Sequence, residues 1–240
     1  AVALGEENKW SEAEAMHRSA IAIFKANHAG INTFVADAEN SLATALDIQG
    51  KNAAAESTYI EVLNMRRQLL GPTHPDYAWT LFNYSMFLSY TDRCAQAVKY
   101  SREVLALRGT VIPDSHASIA ASLQTVGRCL DKLGSHAEAE SALEESLALR
   151  RKYLGDDSWL VGSSEGVLGD HFTLVRDFPR AQQVLMSAQS HLTRAVGAQN
   201  PRTLTNAGRL ASMYDAWGRP KDAAVWKAKA GAPPARAESP

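Results

Sequence analysis

Seven histidines, two cysteines and scattered carboxylates are the side chains with which this 240-residue chain would do acid–base or metal chemistry. A metal site needs donors at close spacings such as HExxH or CxxC, and neither occurs. His74 and His116 stand forty-two residues apart in equivalent loop positions, which suits a repeated structural task such as bonding a helix start. Cys94 and Cys129 have no ligand spacing and read as reduced, small buried side chains. Asp156 and Asp157 share a loop with no acid or histidine on a common face, so they make no general acid–base pair. Ser163 and Ser164 lack a nucleophile elbow, and no Gly-rich loop, HRD or DFG is present. No cofactor, no metal and no catalysis by the chain itself are expected.

What recurs is position. Ala13, Ala55, Ala97, Ala139, Ala181 and Ala223 follow one another at forty-two-residue intervals, and the clearest copy of the unit around them is Gly134 to Leu154, GSHAEAESALEESLALRRKYL. A fixed period of this size means stacked supersecondary units, each too small to bury its own apolar face and each completed by its neighbours. The arginines follow the same ruler. Arg66, Arg67, Arg108, Arg150 and Arg151 fall toward the ends of helices, where cations complement the helix dipole. Glu12, Glu14, Glu138 and Glu140 mirror them at helix starts.

Each unit reads as two helices, A and B. B helices are expected at about 9–27, 51–69, 93–108, 135–153, 178–195 and 220–230, and A helices at about 33–49, 75–91, 116–133, 158–175 and 201–217. The B-to-A connections carry turn chemistry, as in GPTHPD and GAQNP, with Pro75 and Pro201 where a first turn tolerates a missing N–H. The A-to-B turns centre on Asn8, Gly50, Asp92, Gly134 and Gly218, types that accept a positive φ; Arg176 does not, and a less regular turn is expected there. Residues 1–7 read as the remnant of a truncated repeat helix, 8–230 as the solenoid, and 231–240 as a disordered tail. In the A helices, Leu42, Ala43 and Leu46, or Val126, Gly127 and Leu130, set a large, a small and a large residue on one stripe.

Composition narrows the partners. The formal charge of −1 provides no field to draw nucleic acid or an anionic membrane, and no run of about eighteen apolar residues predicts a membrane span. The N-terminus lacks the layout of a signal peptide, so a cytoplasmic location is expected.

The large-small-large stripe and the column of alanines resemble the tetratricopeptide repeat, and the forty-two-residue period with AEAE, ALRRKYLG and GPTHPD is similar to its longer, kinesin-light-chain type. The resemblance covers all but the tail and implies an all-α, right-handed solenoid of antiparallel helix pairs. Residues 209–230 are also similar to the C-terminal end of repeat regions attached to bacterial serine/threonine kinases. In this family the A helices line a concave wall. Carried over column by column, the groove would hold Asp37, Asn40, Thr44 and Asp47; then Trp79, Phe82, Met86 and Tyr90, with Asn83 beside them; then Gln124, Arg128, Asp131 and Lys132; then Ser163, Gly166, Asp170 and Thr173. Phe82 stands where related repeats commonly have Asn. The aromatic cluster reads either as a binding hot spot or as part of the core, with Leu81, Tyr84 and Leu88 already in the core columns.

The function implied is that of a protein-interaction module taking a peptide or protein surface in the groove, within a larger signalling or scaffold protein. The alternatives are a ligand-sensing arm of an N-terminal catalytic domain, such as a kinase, and a self-association module joining two copies.

Overall fold

The computed structural model describes residues 2–27, 32–107 and 116–231, and among them are eleven α-helices and no strand. The chain forms two compact units, Ala1–Ser115 and His116–Pro240. Unit 1 holds α1 (Val2–Asn27), α2 (Thr33–Ile48), α3 (Asn52–Leu70), α4 (Pro75–Tyr90) and α5 (Cys94–Ala106). Unit 2 holds α6 (His116–Lys132), α7 (His136–Leu154), α8 (Trp159–Leu174), α9 (Phe178–Val196), α10 (Pro201–Ala216) and α11 (Pro220–Ala230). Even-numbered helices are the A type from α2 to α10, and odd-numbered ones the B type. Each A helix packs on the B helix that follows it, and A helices two apart also touch, α2 on α4, α6 on α8 and α8 on α10. This is the all-α solenoid of helix pairs that the period predicts. The tail from 232 lies outside the described residues.

One column starts the A helices. Asn32, His74, Ser158 and Asn200, each one period or a multiple from the next, use a side-chain acceptor to take a first-turn N–H: Val35 at 2.9 Å, Asp76 at 3.2 Å, Leu160 at 3.3 Å and Arg202 at 3.0 Å. The expectation for His74 is met. His116, in the same column, opens α6 and stacks its ring on Tyr153.

The A-to-B turns share one geometry. Gly50, Asp92, Gly134, Arg176 and Gly218 all have positive φ, between +63° and +82°. The residue after each donates its N–H back to the A helix at 2.9 Å, from Lys51 to Leu46, Arg93 to Leu88, Ser135 to Leu130, Asp177 to Phe172 and Arg219 to Tyr214. Arg176 therefore corrects the expectation of an irregular turn: packing on both sides holds a non-glycine residue at φ +63°. The break expected at Asn8 is also absent. Residues 2–7 continue into α1 without a turn, with Ala3, Leu4, Glu6, Glu7 and Lys9 as good helix formers around Gly5 and Asn8.

The column alanines sit where helices cross. Ala55, Ala97, Ala139, Ala181 and Ala223 are each 0% exposed, whereas Ala13 is only half-buried. At Gly127 a Cβ would come within 2.5 Å of Leu143 Cγ, so the small member of the stripe is what lets α7 approach α6. Cys94 and Cys129 are buried and form no disulfide.

Candidate protein-docking face

In unit 1 the expected groove residues divide by chemistry. On α2, Asn40 is buried, Thr44 and Asp47 are half-buried, and Asp37 is exposed. Asp37 is already engaged, since Arg66 Nη2 donates to its Oδ1 at 2.5 Å. Thr44 Oγ1 donates to the Asn40 carbonyl at 3.1 Å and lies 3.4 Å from the Tyr59 hydroxyl. Burial raises the Asp47 carboxyl and pushes the Tyr59 phenol up to about 12, so that hydroxyl keeps its proton.

On α4 the picture is apolar and open. Trp79 is 50% exposed and Tyr90 62%, while Phe82, Asn83 and Met86 are half-buried. The Trp79 and Phe82 rings lie 5.4 Å apart, centre to centre. Their neighbours on the other side of the helix, Leu81, Tyr84 and Leu88, are buried, with Tyr84 against Tyr59, Phe87 and Tyr100. Helical spacing turns one set to the core and leaves the other at the surface.

Unit 2 has a different A face. Gln124 accepts Arg150 Nη1 at 2.6 Å. Asp131 accepts His171 Nδ1 at 2.8 Å and His136 Nδ1 at 3.0 Å. Arg128 and Lys132 are exposed. On α8, Ser163 is half-buried, Gly166 is buried and packed by Arg209 and Asn206, Asp170 accepts Arg209 Nε at 2.7 Å, and Thr173 Oγ1 donates to the Gly169 carbonyl.

Two sets of side chains stand behind these faces, the first misread from sequence and the second missed by it. Arg66 and Arg150, expected as helix-end cations, are buried rather than spread over a helix end. Arg66 Nη1 donates to the Asp76 carbonyl and Thr80 Oγ1, both at 2.7 Å, besides Asp37, so one guanidinium from α3 ties α2 to α4. Arg150 from α7 ties α6 to α8 through Gln124 and Ser164. These two are brackets between A helices, a role distinct from a dipole partner, and Arg108 lies outside the described residues. The second set is Glu39 and Glu165, buried acids in the column that holds Leu81 and Leu123 elsewhere. Glu165 is fully satisfied: Oε1 accepts Arg151 Nη2 at 2.7 Å and Ser187 Oγ at 2.8 Å, and Oε2 accepts His191 Nδ1 at 2.7 Å. An acid in a leucine column was the available signal.

Among the described residues no group of three or more His, Cys, Asp or Glu could hold a metal ion, and no helix is long and apolar enough to cross a membrane. The faces described above are presented by paired helices, which makes the chain a helical-repeat protein. The tetratricopeptide-repeat family model matches residues 34–110 and 83–152, and the chain is a tetratricopeptide-repeat protein, of a fold whose general work is protein interaction. It is similar to BtubC (BKLC) from P. vanneervenii, at 19% identity and a TM-score of 0.75 over 96% of each chain. It is similar also to a candidate kinesin light chain of Podosopora anserina with nearly identical TPR-like repeats, at 19% identity and a TM-score of 0.68 over 81% of this chain and 92% of that one. A Rap protein complexed with competence and sporulation factor is a more distant likeness, 13% identical with a TM-score of 0.56 over 94% and 70%. At these identities the likeness is one of fold. No curated protein matches the chain.

Proposed function

We propose that this chain is a docking module whose unit 1 receives a peptide or protein surface in the groove lined by its A helices, on the exposed face of α4, with Trp79, Phe82, Met86 and Tyr90 as its apolar anchors and Asn83 as a polar neighbour. The observation that carries this reading is the half-open Trp79, 50% exposed and set against Phe82, beside a core that is complete without either. Aromatic and Met side chains bury much area at low entropy cost, which is why such clusters dominate binding energy. On α2, Asp37 and Thr44 would flank this site as a polar rim, with Asn40 buried beneath them. In unit 2, Arg128 and Lys132 would offer cations to an acidic stretch of a partner, and Gln124 and Asp131 would hold the helix that carries them. The Rap likeness supports the reading to the extent that a solenoid of related fold holds a bound factor.

The test is a pull-down with the chain beside its Trp79→Ala, Phe82→Ala double variant, both checked for melting, with bound proteins identified by mass spectrometry. Loss of a partner from the variant alone, at a stability within about 1 kcal/mol of the parent, is the expected result. A large drop in stability would return the two rings to the core. Identical partner sets would favour the sensor-arm or self-association reading.

A further inference from the structure

Unit 1 and unit 2 each contain a cleft between two B helices over the A helix that separates them. In unit 1 it lies between α1 and α3 over α2, with a volume of about 410 Å³; in unit 2 between α7 and α9 over α8, at about 380 Å³. The two are the same place in the repeat, three periods apart, and each has a buried glutamate in its floor, Glu39 and Glu165. Each glutamate meets a cation from the B helix before it: Lys25 Nζ reaches Glu39 Oε1 at 2.8 Å, as Arg151 reaches Glu165.

The remaining donors differ. Unit 2 supplies the Ser187 hydroxyl and the His191 ring, both from α9. In unit 1 the corresponding positions on α3 are Glu61 and Met65, neither of which can donate to the carboxylate at neutral pH. Glu39 is 5% exposed, and its Oε2 has no hydrogen-bond partner. A buried carboxylate oxygen without a donor costs free energy that unit 2 shows how to avoid. Charge points the same way. Among the cleft's ionic side chains, Arg18 is held by Glu14 and Lys25 by Glu39, which leaves the Glu61 carboxylate over. The cleft is also lined by Ile21, Ala22 and Leu42, an apolar sleeve for a short aliphatic stem.

We infer that the α1–α3 cleft is a binding site for an aliphatic cation that donates N–H, the chemistry of a lysine or arginine side chain or of a small free amine, with its head at Glu39 and Glu61 and its stem against Ile21 and Leu42. Glu39 lies about 200° round α2 from Asp37, so this site is on a different side of the helix from the docking face proposed above and does not depend on it. The Lys25 ammonium, on a largely exposed side chain, can swing aside, and the broad terminal torsion of Glu39 lets either oxygen turn to the ligand.

The experiment is calorimetric titration of the whole chain with Nα-acetyl-lysine N-methylamide, its arginine counterpart, 1,5-diaminopentane and the uncharged norleucine analogue. Saturable binding of one or more cations and none of norleucine is expected; the tightest of the three identifies whether a peptide side chain or a free amine is the natural source. Glu39→Gln should weaken binding about tenfold or more. The pair Glu61→Ser and Met65→His, which installs unit 2's donors, should abolish binding while the protein melts no lower than the parent, so loss of fold and loss of site stay separable. No saturable binding of any cation, norleucine binding as well as lysine, or affinity unmoved in either variant would overturn the assignment.

Discussion

Unit 1 and unit 2 use the same helix pairs, turns and alanine crossings, yet fill them with different chemistry. Behind the A helices of unit 1 stand rings, Tyr59, Tyr84, Phe87 and Tyr100, whose centres lie 5.2 to 6.1 Å apart along the cluster. Two periods on, unit 2 has Leu143, Leu168, His171 and Val184 in those places, and beside its aliphatic core it adds hydrogen bonds from His171 to Asp131 and from three donors to Glu165, while the Arg150 bracket repeats that of Arg66. Rings tolerate a neighbour that is not quite matched, because dispersion and area burial have no direction. A buried polar joint is stable only when every group has its partner. Unit 1 thus sets Trp79 at the surface in a column where unit 2 has the half-buried Ser163.

The largest expected effect falls on that joint. Arg150→Ala strips the half-buried Gln124 and the buried Ser164 of their donor and should cost about 3 kcal/mol in urea denaturation. Arg66→Ala should cost about 1–2 kcal/mol, because Asp37 is exposed and regains water while the buried Thr80 hydroxyl keeps its bond to the Asp76 carbonyl. Equal losses would break the contrast between the units.

The two buried glutamates sharpen it. Glu165→Leu strands the His191 and Ser187 donors and should destabilise by about 2 kcal/mol. Glu39→Leu removes a carboxylate that is only half satisfied, in a column where Leu81 and Leu123 already fit, and should stabilise by about 1 kcal/mol. Thermal melts of both variants should shift in opposite directions; a shift of one sign for both would show that the polar floor is equivalent in the two units.

Smaller still is the turn. Arg176→Gly relieves a left-handed non-glycine residue at a turn otherwise identical to that at Gly134, and should raise stability by about 0.5–1 kcal/mol after the added chain entropy of glycine is counted. An unchanged or lower melting temperature would mean that the arginine side chain contributes contacts worth the strain.

The gentlest effect is on pH. Hydrogen bonding from Lys51, with lesser help from Arg18 and Gln49 against some desolvation, holds the Glu14 carboxyl down at about 2 from its ordinary 4.5. The folded value is below the unfolded one, so this contribution is fully present above pH 4.5 and is lost as the pH falls toward 2. Its size is small because the partners are largely exposed and screened. Lys51→Met should flatten the acid limb of the melting profile between these limits; an unchanged limb would remove Glu14 from the account.

Much of the architecture was legible because a repeat tests itself. The alanine column, the turn column and the capping column each recur with the period, and helix bounds read from them agree with the structure to within a residue or two except at the start of α1. Asn8 misled because asparagine is at ease both in a turn and in a helix, and its neighbours are helix formers. Arg176 misled because residue type alone does not weigh the packing on either side of a turn.

The sequence by itself determined the period, the helix order and the residue that sits at each crossing, since these follow from spacing and from the few residues small enough for close approach. Only the tertiary structure decided which A-helix side chains stay outside and which are consumed within. That choice depends on partners a period or more away in the chain. Arg66 looks like a helix-end cation until Asp37 and Thr80 are brought to it, and Glu39 like an ordinary surface acid until α1 and α3 close over it and the donor that His191 offers Glu165 proves to be a methionine.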